Sequence, residues 1–222
     1  MSSPRFVGLS YDETVEMVSS GIIAALLGKR EVLWLTSGGS NVGLQVDVIQ
    51  VLRRLVGDKL ARLIILPADE RYGLSGHSDS NYLAMKNAGF LPGAANWPDI
   101  LAKNADFATT TKMYNDLVEA TTKTHTVVAT LGLGTDGHTA GILPHSPALD
   151  SPDFVAGYEA NYMRMTLTPH ALRRISAAYL VALGESKLTV VDQLKRGQDS
   201  VVDMPAMLLY DLEDCTVVYD ID

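Results

Sequence analysis

The chain has 222 residues, 47% of them hydrophobic, which fits one domain and supplies a full core. Its net charge of −8 excludes nucleic acid as a partner, because gripping a phosphate backbone takes a basic face; a small anionic substrate needs only a few local cations. No apolar run reaches the ~18 residues of a membrane span, the N-terminal residues lack the apolar core of a signal peptide, and the single Cys215 rules out an internal disulfide, so a cytoplasmic protein with no membrane contact is expected.

Ser10-Tyr11-Asp12-Glu13 reads as a capping box that opens a helix to about Leu27, where Gly28 stops it. Glu31–Thr36 is a first buried strand; it ends in Ser37-Gly38-Gly39-Ser40-Asn41, and a second helix follows to about Val56. Arg62–Leu66 is a second strand, ending in the charged loop Pro67-Ala68-Asp69-Glu70-Arg71. A short helix is expected over Asp79–Ala88, then an irregular Gly89–Ala105, then a helix capped by Asp106 and running to about Thr122. Thr126–Leu131 is a third buried strand, and it breaks into Gly132, Gly134, Asp136, Gly137 and His138. Pro144, Pro147 and Pro152 impose a loop after it. Short strands follow at Phe154–Tyr158 and Tyr162–Leu167, with a helical turn at Thr168–Arg173. A buried strand at Ala177–Leu183, a helix over Glu185–Lys195, and closing strands at Ala206–Tyr210 and Thr216–Tyr219 complete the chain.

Alternating helices and strands, the strands apolar on both faces, predict an α/β fold with a mostly parallel sheet covered on both sides. Residues 1–222 read as a single domain. Three strand ends, at residues 37–41, 69–71 and 132–138, then fall on one edge of that sheet, so distant segments share one pocket. Ser37-Gly38-Gly39-Ser40 before a helix is a candidate anion cradle. Gly132-Leu133-Gly134-Thr135-Asp136-Gly137 fits the dinucleotide pattern G-x-G-x-x-G, but the prolines behind it leave no room for the helix that pattern needs, so no nucleotide cofactor is expected. His138, flanked by glycine backbone at a strand end, is the candidate general base. No histidine pair has metal-ligand spacing, so no metal is expected either.

These motifs, in this order, resemble 6-phosphogluconolactonases, within the larger group that includes glucosamine-6-phosphate deaminases. Thr36–Ser40 is similar to that family's L-S-G-G-S-T-P loop, and Asp69-Glu70-Arg71 with Ser80-Asn81-Tyr82 to its D-E-R…S-N-Y segment. Gly132–Pro144 is similar to G-x-G-x-D-G-H-T-A-S-L-F-P, Arg164–Thr168 to R-I-T-L-T, and Gly184–Lys187 to G-x-x-K. The resemblance implies a three-layer α/β/α fold with a Rossmann-like sheet and hydrolysis of 6-phospho-glucono-1,5-lactone to 6-phosphogluconate, a step of the pentose phosphate pathway, without a cofactor. It implies that Gly38, Gly39, Ser40, Arg164 and Lys187 hold the phosphate and that His138 activates water. Asp69 or Asp136 would orient the imidazole, and the glycine-rich backbone or Arg71 would receive the oxyanion. The expected partner is a small phosphorylated sugar lactone, taken by a monomer or small homo-oligomer.

Two stretches depart from the family pattern: Asn41-Val42 stands for T-P, and Gly141-Ile142-Leu143 for S-L-F. The chief alternative is a deaminase, whose signature carries a Glu five residues after the His; Leu143 occupies that place here. A second alternative is a sugar-phosphate-binding regulator without catalysis, which would keep the phosphate residues and have no use for His138.

Overall fold

Strand residues that are apolar on both faces need cover on both faces, and the observed layers supply it. The computed structural model describes residues 3–220. In chain order the elements are β1 (Arg5–Gly8), α1 (Tyr11–Leu27), β2 (Val32–Thr36), α2 (Val42–Val56), β3 (Leu63–Pro67), β4 (Asp69–Arg71), α3 (Asn81–Asn87), α4 (Phe107–Thr124), β5 (Thr126–Gly132), β6 (Val155–Glu159), β7 (Met163–Leu167), α5 (Pro169–Leu172), β8 (Ala177–Ala182), α6 (Leu188–Arg196) and β9 (Cys215–Tyr219). A six-stranded sheet runs β1-β9-β8-β5-β2-β3, and every pairing in it is parallel. Val32 and Trp34 of β2 face one side, where α1 and α2 present Val18, Ile22, Leu44 and Ile49. Leu33 and Leu35 face the other, against Tyr114 and Val118 of α4 and Val190 and Leu194 of α6. Period-two alternation on the strands thus meets an apolar helix stripe on each face, giving three layers. Among the described residues no helix is long and apolar enough to cross a membrane.

The helix signals hold in detail. Ser10 Oγ accepts from the Glu13 N–H, and Glu13 returns a carboxylate oxygen to the Ser10 N–H at 2.9 Å. Gly28 ends that helix in an extended conformation, φ −69°, rather than the left-handed one glycine permits. Its lack of a side chain matters for another reason: a Cβ there would lie 3.0 Å from the Ala25 carbonyl oxygen. Asp106 caps α4 through the Thr109 N–H at 2.9 Å.

Three features differ from the sequence reading. Residues 5–8 form a strand, too short and too mixed to declare itself, and it pairs only with β9. Asp69–Arg71 is not a loop but the strand β4 of a second, antiparallel sheet ordered β4-β7-β6. The chain passes between sheets at Ala68, whose N–H reaches Thr36 O at 2.6 Å and whose carbonyl accepts from Leu167 N at 3.0 Å. The expected strand Ala206–Tyr210 is a 3₁₀ helix, Pro205–Asp211. A short apolar run cannot be assigned by periodicity alone, and Pro205 at its start pre-sets helical φ.

Candidate active site

The carboxyl ends of β2 and β5 carry the two glycine loops. From β2 the chain moves on to β3 on one side; from β5 it moves on to β8 on the other. Neighbouring parallel strands whose connections diverge leave a crevice between their ends. Here it is a cavity of about 240 Å³, lined by Ser37–Ser40, Gly132–Gly134, His138, Ala140, Gly141, Asp69, Arg71, Arg164 and Lys187. Of the residues expected to carry the chemistry or hold the phosphate, all line it except Asp136, which stands behind His138.

His138 is held by a tight turn. Gly134 N donates to His138 O at 2.8 Å, and Gly137 N donates to Gly134 O at 3.0 Å. Asp136 Oδ1 accepts from the His138 backbone N–H at 3.1 Å and lies 2.6 Å from its Nδ1. A proton on Nδ1 then donates to the carboxylate and leaves Nε2 with its lone pair free. Of the two carboxylates open as orienting groups, Asp136 is therefore the one in contact. Burial on its own raises the Asp136 carboxyl, but the His138 N–H and ring together outweigh it and hold the group below its ordinary value. Gly134 makes the pairing possible: a Cβ there would come within 2.1 Å of His138 Nδ1 and 2.5 Å of Asp136 Oδ1.

β4 alternates faces, which splits its three charges. Asp69 and Arg71 turn to the cavity. Glu70 turns away, fully buried, and its carboxylate accepts from the N–H groups of Asn81 at 2.7 Å and Tyr82 at 2.9 Å, anchoring the start of α3. Burial pushes the Glu70 carboxyl up, opposed by those N–H groups. Asp69 is also buried and binds Arg164 Nη1 at 2.8 Å, with Arg71 Nε at 3.8 Å. Arg71 stands directly opposite Arg164 in the β4–β7 register. One carboxylate thus serves two guanidinium groups, and with Lys187 the cavity wall keeps a net positive charge suited to an anion.

At the other wall, Gln45 fixes the Ser37 backbone from both sides. Its Oε1 accepts from Ser37 N at 2.8 Å, and its Nε2 donates to Ser37 O at 2.5 Å. A lone polar residue on the apolar face of α2, beside Leu44, Val48 and Ile49, was the sequence signal for this role. Asn41 is turned into the sheet rather than the cavity: its amide donates to Leu131 O at 3.2 Å and Val181 O at 3.3 Å, joining the ends of β5 and β8. The departure at Asn41 therefore falls on the sheet. Lys187, the last residue of the helical turn Glu185–Lys187 that leads into α6, donates from Nζ to Leu133 O at 2.7 Å. Among the described residues, no group of three or more His, Cys, Asp or Glu is placed to hold a metal ion.

The departure at Gly141 falls on the cavity itself. Ala140 and Gly141 both have positive φ, 52° and 77°, as the two central residues of a type I′ turn require. Tyr158 and Thr166 hydroxyls bond the Gly141 and Ala140 carbonyls and hold the turn. A Cβ on Gly141 would meet Asp69 Cβ at 2.4 Å. Gly141→Ala is expected to lose roughly 1–2 kcal/mol from the backbone conformation and ~1–3 kcal/mol from overpacking against Asp69. Urea unfolding measures this; a midpoint equal to the parent's would show that the approach to Asp69 is not tight.

Residues 11–218 match the protein family described as glucosamine-6-phosphate isomerases/6-phosphogluconolactonase. A 6-phosphogluconolactonase of Neisseria meningitidis serogroup A is 31% identical over 170 residues, covering 68% of this chain and 71% of that protein. Among solved structures, a 6-phosphogluconolactonase from Shewanella baltica superposes with a TM-score of 0.78 at 22% identity, covering 99% of this chain and 97% of that one. A monomeric glucosamine-6-phosphate deaminase superposes as well, with a TM-score of 0.80 at 20% identity over 99% of this chain and 98% of that one. One backbone is common to proteins named for both activities, so the choice between them rests on side chains in the cavity.

Proposed function

The chain belongs to the family of glucosamine-6-phosphate isomerases and 6-phosphogluconolactonases, and from that premise we propose that it hydrolyses 6-phospho-glucono-1,5-lactone to 6-phosphogluconate. The observation that carries the choice is the pairing of His138 with Asp136 beside a cavity whose one lining carboxylate, Asp69, is tied to Arg164. Deamination requires ring opening and isomerisation, which call for a further free acid–base carboxylate. Leu143, at the position where the deaminase signature has Glu, packs half-buried against the core.

In this reading the phosphate is held by Arg164, Lys187 and the N–H groups of Gly38–Ser40 at the start of the helical segment leading into α2. Arg71, opposite Arg164, joins them. His138 Nε2 takes a proton from water as its oxygen attacks the lactone carbonyl. The backbone N–H groups of the Ala140-Gly141 turn receive the oxyanion that develops. Collapse of the tetrahedral intermediate breaks the bond from the carbonyl carbon to the ring oxygen, and the imidazolium returns its proton to that oxygen. The products are a free hydroxyl and a carboxylic acid, which ionises to the carboxylate by releasing the second water proton to solvent, and the sequence of steps draws on no cofactor or metal.

The test is hydrolysis of the lactone at fixed pH against a buffer blank, because such lactones open spontaneously. A rate clearly above the blank, with no ammonia from glucosamine 6-phosphate, is the expected result. Ammonia release would identify a deaminase. Binding of 6-phosphogluconate without turnover would identify a non-catalytic sugar-phosphate protein.

A further inference from the structure

The β6–β7 hairpin closes over Glu159–Met163, with Ala160 N donating to Tyr162 O at 3.0 Å. At its tip Tyr162 is 40% exposed. Its centroid lies 5.3 Å from Arg71 Cζ and 6.0 Å from Arg164 Cζ, so one ring faces both guanidinium groups of the cavity wall. These two arginines are direct cross-strand neighbours, and like charges in that register repel. Among the described residues, Asp69 is the carboxylate that pairs with them.

Each guanidinium also has a fixed edge, and Arg71 Nε faces Asp69 at 3.8 Å. Arg164 Nη1 binds Asp69, and Arg71 Nη1 donates to Asp79 O at 3.0 Å. The Nε of each is buried and has no hydrogen-bond partner among the described residues. Buried donors of this kind are costly to leave unpaired, so neither arginine can give up a further in-plane contact cheaply. A second carboxylate would relieve the repulsion, but it would consume those donors and repel an anion. An aromatic face relieves part of it through its quadrupole and leaves every in-plane N–H free.

We propose that Tyr162 is a positioning residue of the anion site: its ring holds Arg71 and Arg164 side by side, so that the guanidinium N–H groups not taken by Asp69 and Asp79 meet the phosphate of the substrate. This deepens the lactonase reading and rests on it for the identity of the substrate, though not for the anion. Tyr162 is not among the residues that line the cavity with His138, so its contribution is to binding and not to turnover.

The experiment compares Tyr162→Phe and Tyr162→Leu with the parent protein by equilibrium titration with 6-phosphogluconate and with inorganic phosphate, and by steady-state kinetics on the lactone. Tyr162→Leu is expected to weaken both ligands about five- to thirty-fold and to raise KM by the same factor with kcat unchanged. Tyr162→Phe keeps the ring face and is expected to match the parent. A purely structural role would lower the melting midpoint without splitting KM from kcat. Parent-like phosphate affinity in Tyr162→Leu overturns the proposal, as does a Phe variant that behaves like the Leu variant, or a parent protein that binds no phosphate. A parent that binds phosphate but does not hydrolyse the lactone overturns the lactonase reading alone, and the phosphate titration still decides Tyr162.

Discussion

Replacing His138 with alanine is expected to lower kcat about 10²–10⁴-fold while the affinity for 6-phosphogluconate stays near the parent's. The separation follows from geometry. His138 is bonded to Asp136 and Gly134, not to the arginines or to the Ser37–Ser40 loop, so its removal leaves the anion wall intact. The side chain is half-exposed, so the fold loses little with it. Asp136→Asn is expected to move kcat in the same direction, because an amide holds the imidazole in place but no longer favours the Nδ1-protonated form that leaves Nε2 free. Measured kcat at saturating lactone, corrected for spontaneous opening, decides the matter. Parent-like turnover in His138→Ala would place the base elsewhere.

Arg164→Ala is expected to show the opposite pattern. Loss of charge-assisted bonds to phosphate, each roughly 1.5–3 kcal/mol, weakens 6-phosphogluconate by about ten- to a hundred-fold and raises KM in step. It also strikes the fold. Asp69 is buried and relies on Arg164 Nη1 at 2.8 Å, and breaking such a pair costs about 3–5 kcal/mol. Arg71, at 3.8 Å from the same carboxylate, offsets part of that loss. Arg164→Lys keeps the charge but not the fork, so it is expected to recover stability more than affinity. Calorimetric titration and urea unfolding on the same samples separate the two effects. Unchanged affinity in Arg164→Ala would remove this residue from the phosphate site.

Much of this was legible in the sequence because it depends on local rules. Caps at Ser10 and Asp106, the buried strands before residues 37 and 132, and the convergence of their loops all follow from spacing and periodicity. What was not legible depends on pairing at long range. β4 is three residues long and becomes a strand only because β7 lies beside it. The choice between Asp69 and Asp136 turned on which carboxylate the arginines had already taken. Tyr162 reads as an ordinary strand residue until the hairpin sets its ring over Arg71, which is far away in the chain. Gln45 sits in between, visible as an oddity on an apolar face, with its purpose hidden until Ser37 is seen beside it.

The pairing of β1 with β9 bears on how the protein is made. Arg5 lies against Thr216 across 211 residues, and β1 has no other partner in the sheet. A ribosome adding roughly 5–20 residues per second needs about 10–40 s between making the one strand and the other. Throughout that interval the segment bearing Phe6 and Val7 lacks its partner strand. The β1 edge of the sheet therefore closes only after β9 has been made.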